Sequence, residues 1–211
     1  MKEIRSIGKL VWLHLFPGFL LTIIYILFLT NSIFEGYPKL VVLGVAAMLS
    51  IVPFELGYLV YLARKEENSY NIFKVLGLNS KLTFRQYLIY TILSFFVLGL
   101  LMTLLRPVSD TMLRTVFSWI PGWYNYNEEF SQFNNYYIAV LVAVSFFIFT
   151  IIAPITEELY FRGLLLARMK WMGTYSVLVN LFLFSVYHFW SPWLILTRTI
   201  ALIYYGGSVH S

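Results

Sequence analysis

Leu10-Val-Trp-Leu-His-Leu-Phe-Pro-Gly-Phe-Leu-Leu-Thr-Ile-Ile-Tyr-Ile-Leu-Phe-Leu-Thr30 runs for 21 residues without a formal charge. At about 1.5 Å of rise per residue, such a run matches the ~30 Å hydrocarbon core of a bilayer. It is too long for the apolar core of a secretory signal and has no small-residue cleavage site after it. It reads as a first transmembrane helix that stays attached. Four more runs follow: Leu40–Ala63, interrupted only by Glu55; Gln86–Leu105; Phe130–Thr156; and Trp171–Thr197, whose one ionisable group is His188. Each is long enough to span, so the sequence predicts an all-α, polytopic transmembrane helical bundle.

The rest of the composition agrees. Hydrophobic residues make up 60% of the 211 and charged residues 12%, and the mean hydropathy is +0.76. A soluble domain carries about 45–50% apolar and about 25% charged residues, and so few charges could not cover so much apolar surface in water. An aromatic content of 19% excludes a disordered chain. There is no cysteine, which excludes disulfides, thiolate metal sites and cysteine nucleophiles. The net charge of +5 sits between apolar runs, so it reads as membrane orientation and not as nucleic-acid binding.

Basic residues set the expected topology. The N-terminal arm holds Lys2, Arg5 and Lys9, the Arg64–Arg85 connection holds five, and Arg168 and Lys170 follow; that side carries ten, the other three (Lys39, Arg106, Arg114). The positive-inside rule then predicts a multi-pass protein of the cell membrane with a cytoplasmic N-terminus. The segment Arg106–Tyr136, rich in Trp, Tyr, Asn and Pro, reads as a non-cytoplasmic loop, with the aromatics of Trp119–Tyr126 as an interfacial belt. Two regions follow: an N-terminal transmembrane region, 1–130, and a region 131–211 that carries the candidate chemistry.

Ionisable groups inside spans are functional candidates by default. Glu157, Glu158 and Arg162 lie in Pro154-Ile-Thr-Glu-Glu-Leu-Tyr-Phe-Arg-Gly163. On a helix, Glu158 and Arg162 share a face and can pair, which leaves Glu157 turned about 100° away and free to act as a general base on water. The competing reading is a helix-terminal charge cluster with Thr156 as its N-cap. His188 is the second candidate. Glu157 lies 15 residues before Met172 and His188 lies 16 after it, so a helical hairpin turning there would put both roughly 22–24 Å from the turn, at one depth. The competing reading is a satisfied core histidine. Phe184, one turn before His188, would pack beside the imidazole. Pro154 is expected to break the long run into helices of about Tyr137–Ala153 and Ile155–Lys170. Glu55 either lines the same cavity or caps a kinked helix; His14 is expected at the interface, and Arg198 is expected to snorkel to a headgroup.

At these residues the sequence resembles the CAAX protease and bacteriocin-processing (CPBP, Abi-type) family of intramembrane proteases. Glu157-Glu158-Leu159-Tyr160-Phe161-Arg162 looks like its first motif, Glu-Glu-x-x-x-Arg, with Pro154 and Gly163 in keeping; Phe184 to His188 looks like its second, Phe-x-x-x-His. The resemblance covers about residues 135–205. It implies an endopeptidase that cleaves prenylated proteins near their C-terminus, or a bacterial relative tied to bacteriocin maturation or immunity. By that resemblance Glu157 and His188 activate the attacking water, and Glu158, Arg162 and Phe184 shape the site. It also implies a later helix bearing His or Asn, with Asn or a similar residue four positions on, to stabilise the oxyanion. Only 23 residues follow His188, and His210 is followed by Ser211 alone, so region 131–211 is expected to be C-terminally incomplete and the chain a poor protease.

No HExxH spacing is present. A metal is therefore not assigned, although Glu157, Glu158 and His188 leave zinc open. The expected partners are the lipid bilayer and a peptide or prenylated-protein substrate within it, with no nucleic acid. A rival reading makes the chain a non-catalytic membrane immunity or scaffold protein.

Overall fold

The computed structural model describes residues 2–77 and 83–209. Regular structure there is all helical: α1 (Ile7–Leu29), α2 (Lys39–Leu49), α3 (Ile51–Glu67), α4 (Phe84–Leu104), α5 (Arg106–Arg114), α6 (Asn135–Arg168), α7 (Tyr175–Tyr187) and α8 (Ile195–Val209). Three stretches are long and apolar enough to cross a bilayer: α1, the α2–α3 pair and α6. A fourth arises if α4 and α5, bent by 46° at Leu105, count as one span. The outward faces are apolar, with Trp12 and Phe19 on α1, Phe95 and Phe96 on α4, and Phe146 and Phe147 on α6 all exposed. That is the pattern of a surface solvated by lipid chains.

Two expectations about the helices are corrected. First, Pro154 does not break α6. The helix continues through it because wide π turns flank it, at Ser145–Ile152 and Glu158–Leu165. A π turn shifts the hydrogen-bond partner to i+5 and absorbs a missing donor without ending the helix. Thr156 therefore caps nothing: its hydroxyl donates to the Ile152 carbonyl, 2.8 Å away, in mid-helix. Second, Trp171–Thr197 is not one span. α7 is only 13 residues long, and the chain leaves helical geometry at His188 and Ser191, the residue before Pro192. A residue before proline is pushed out of the helical region by the proline ring.

Both bundle ends are tied. At one end the Arg168 guanidinium donates to both Glu66 carboxylate oxygens (2.9 and 2.8 Å) and to the Lys2 carbonyl (3.1 Å). The Ile4 amide donates to Arg168 O and the Trp171 indole to Ile4 O. The N-terminal arm, the end of α3 and the end of α6 thus lie together, as the grouping of basic residues requires. At the other end the Lys39 ammonium reaches Gly122 O (3.3 Å), and its amide donates to Glu128. Tyr25 donates to Tyr124 O (3.2 Å) and Tyr124 to Phe189 O (2.9 Å). Tyr124 is thus a buried strap and no belt residue; burial pushes its phenol up to about 12, so it stays a donor at physiological pH. The orientation itself is tested by single cysteines at Ser69 and Asn127. In intact cells an impermeant thiol reagent is expected to label Asn127→Cys and spare Ser69→Cys; the reverse pattern inverts the topology.

Candidate active site

The π turn after Glu157 shapes the first half of the site. Glu158 and Arg162 form an ion pair across one turn, with side-chain exposures of 58% and 28%. The Arg162 guanidinium also lies over the Phe184 ring, 5.5 Å from its centroid. The same wide turn leaves backbone carbonyls able to accept from outside the helix: Phe161 O takes a bond from Asn180 (3.0 Å) and Gly163 O one from the Gly77 amide (2.8 Å). The motif segment is thereby fastened to α7 and to the chain before α4.

Glu157 is not free. It accepts a hydrogen bond from the Tyr187 hydroxyl at 3.2 Å. Tyr187 is fully buried, set edge-on to Phe161 and Trp190, and stands immediately before His188. His188 itself is half-buried at the end of α7, edge-on to Phe184 and Tyr187, each with ring centroids 4.9 Å away. Its Nδ1 lies 2.8 Å from the Phe184 carbonyl, which only a protonated Nδ1 can satisfy, so Nε2 carries the available lone pair. No direct hydrogen bond joins Glu157 to His188 among the described residues; Tyr187 touches both, Glu157 through its hydroxyl and His188 through its ring.

One small residue makes this possible. A Cβ on Gly18 of α1 would lie 1.9 Å from the Tyr187 carbonyl oxygen and 2.7 Å from its ring. Gly18→Ala is therefore expected to lower stability by about 1–3 kcal/mol, the usual range for overpacking. Gly57→Ala, with nothing within 4 Å of its Cβ, is expected to leave stability unchanged or raise it. Thermal unfolding of the detergent-solubilised chain compares the two, and equal midpoints would contradict the close approach.

Of three other intramembrane groups, Glu55 lies beside the candidate site, one of its two sequence alternatives, whereas His14 and Arg198 lie elsewhere than expected. Glu55 is fully buried near the start of α3, and its Oε1 is 3.4 Å from the Tyr187 hydroxyl. His14 is buried and not interfacial: Nδ1 donates to Leu10 O (2.8 Å) and Nε2 accepts from Asn180 (3.1 Å). Arg198 does not snorkel. It folds back onto Ser191, donating to its hydroxyl at 2.6 Å, and its charge acts on both Glu157 and His188. Pro17 adds a further tie: it cannot donate to the Leu13 carbonyl, and the Tyr160 hydroxyl takes that carbonyl at 2.9 Å. His210 lies outside the described residues.

The comparisons with known proteins bear on this arrangement. Residues 139–210 match the family described as Type II CAAX prenyl endopeptidase Rce1-like. The match covers about the last third of the chain. No curated protein and no solved structure matches the chain. The Rce1-like segment contains Glu157, Glu158, Arg162, Phe184 and His188 together with Tyr187 and Arg198; Gly18 and Glu55 lie before it. The zinc left open by the sequence does not fit the donor set, since no group of three or more His, Asp or Glu could hold a metal ion among the described residues. Sequence reasoning passed over Tyr187, whose signal was its place beside His188, and Gly18, whose signal was a glycine after proline inside a span.

Proposed function

We propose that the chain is an intramembrane endopeptidase of the CAAX-protease type, in which Glu157 and His188 activate a water. The observation that supports this reading is the contact of both groups with one residue, Tyr187, whose hydroxyl bonds Glu157 and whose ring packs edge-on to His188, within the segment that matches the family model. A water placed between them gives one hydrogen to the Glu157 carboxylate and the other to His188 Nε2, and its lone pair faces the scissile carbonyl. Glu157 takes the proton as the oxygen attacks, then returns it to the departing amine as the C–N bond breaks. Arg198 offers positive charge to the oxyanion that forms between those steps. No covalent intermediate is needed. The exposed Glu158–Arg162 pair marks the side from which a peptide would enter.

Substrates of this reading are prenylated or bacteriocin-like peptides held in the membrane. The test is cleavage by the full chain in proteoliposomes, offered a farnesylated C-terminal peptide, its unprenylated twin and a leader-type peptide. Release of a new amine by wild type, and none by Glu157→Gln, is the expected result; no cleavage of any peptide would sink the reading. A second reading, a non-catalytic immunity or scaffold protein, draws on the apolar groove between α1 and α7, about 420 Å³, lined by Leu10, Trp171, Leu178 and Phe182 among others. Co-purification of a partner helix without cleavage would favour it.

A further inference from the structure

We propose that Glu55 is a positioning residue for this site: its carboxyl proton is donated to the Tyr187 hydroxyl, which donates in turn to Glu157 and holds that carboxylate toward His188. The inference rests on the proteolytic reading for its purpose, and on hydrogen-bond arithmetic for its content. The Tyr187 oxygen lies 3.4 Å from Glu55 Oε1 and 3.2 Å from Glu157 Oε1. A phenol has one proton to give. It can satisfy one carboxylate as donor; the other can approach only by bringing a proton of its own. Two carboxyl groups around one hydroxyl therefore share a single negative charge and one extra proton.

The surroundings say which carboxyl holds the proton. Glu55 is 0% exposed, and its Oε2 has no hydrogen-bond partner. A bare carboxylate in such a place lacks the compensation that burial of a charge demands. The neighbouring hydroxyl of Tyr160 is committed to Leu13 O. The guanidinium at the end of α6, Arg168, is committed to Glu66. Glu157 is differently placed: it is half-buried, and the charges of Arg198 and Arg162 act on it. The chain of donation thus runs Glu55 to Tyr187 to Glu157, and it leaves Glu157 Oε2 for the water.

The register of the helices puts the two carboxyls at one level. Glu55 lies eleven residues before Glu66 on α3, and Glu157 eleven before Arg168 on α6, and Glu66 and Arg168 are paired. Measured from that pair along α3, Glu55 sits roughly 16 Å deep, and the Tyr187 hydroxyl, within reach of both carboxyls, keeps Glu157 near the same level. The third contributor, Tyr187, arrives from α7 at the same level because Gly18 lets its backbone against α1.

The deciding measurement needs no substrate. Infrared spectra of the purified full chain in lipid nanodiscs report the C=O stretch of a protonated carboxylic acid. The band is expected in wild type at neutral pH, absent in Glu55→Gln, shifted in Tyr187→Phe and retained in Glu157→Gln. Its absence from wild type, its loss in Glu157→Gln, or its indifference to Tyr187→Phe would overturn the proposal. Kinetics give the second arm. Glu55→Leu and Tyr187→Phe are each expected to lower kcat by about 10- to 100-fold, the worth of one hydrogen bond to a charged group, with KM unchanged. Glu55→Gln, which keeps a donor, is expected to recover part of the Glu55→Leu loss, and the double variant Glu55→Leu/Tyr187→Phe to be no worse than either alone; additive losses would contradict action through the tyrosine. If wild type cleaves nothing, the proteolytic reading fails and the infrared band still judges Glu55.

Discussion

Glu157→Gln and His188→Ala are each expected to reduce peptide cleavage by about 10²–10⁴-fold or more while the protein still inserts and folds. Glutamine keeps the hydrogen bond from Tyr187 that Glu157 accepts but cannot take a proton from water. Alanine at 188 removes the Nε2 acceptor, and with it the packing against Phe184, Tyr187 and Trp190. The two losses should not add, because each removes one end of the same water. Initial rates in proteoliposomes, normalised to folded protein from size-exclusion profiles, make the comparison. Full activity in Glu157→Gln would end the assignment of the base. Glu158→Gln belongs to another class. Its partner Arg162 is partly exposed and keeps its place over Phe184, so the loss is expected to be far smaller.

The largest stability effect is expected at the other tied group. Arg168 is 3% exposed and Glu66 16%, and they meet through two hydrogen bonds. Removing one partner from such a pair leaves a buried charge without compensation, a loss of about 3–5 kcal/mol. Glu66→Gln should therefore lower the unfolding midpoint sharply. Glu3→Gln, which breaks the exposed pair with Arg5, should cost under about 1 kcal/mol. A Glu66→Gln protein as stable as Glu3→Gln would mean that the pair carries no weight. Replacing both Glu66 and Arg168 by apolar residues of like volume should recover much of the loss, since the penalty comes from the orphaned charge.

The helical bundle was legible, and a candidate site could be named, because both rest on coarse signals. Charge-free runs of membrane length mark α1, the α2–α3 pair and α4, and the few intramembrane charges mark Glu157, Glu158, Arg162 and His188. Helical spacing alone pairs Glu158 with Arg162, and the structure has that pair. What was not legible depends on backbone detail. A proline reads as a break, and nothing in Ser145–Leu165 announces that two π turns will carry α6 past Pro154. Helical wheel counting leaves Glu157 alone because its partner is Tyr187, thirty residues on and on another helix. Glu55 was visible as a charge, but the sequence left open whether it lines the same cavity or caps a kinked helix. The matching spacings, eleven residues from Glu55 to Glu66 and eleven from Glu157 to Arg168, hold that information, but only once Glu66 and Arg168 are known to pair. His14 and Arg198 were assigned to the membrane surface because lone charges usually go there; instead His14 meets Asn180 on another helix and Arg198 folds back onto Ser191.

The tie between the beginning of the chain and its last third has a consequence for biogenesis. His14 waits for Asn180, 166 positions later, and Gly18 keeps a gap for Tyr187. At a synthesis rate of about 5–20 residues per second, α1 spends roughly 10–30 s in the membrane before α7 emerges. During that interval a polar imidazole is without its mate, and the groove that will receive α7 lies open to lipid. Insertion of the early spans therefore cannot assemble the candidate site by itself. Its last contacts, His14 with Asn180 and Gly18 with Tyr187, form only when the late helix returns to the first.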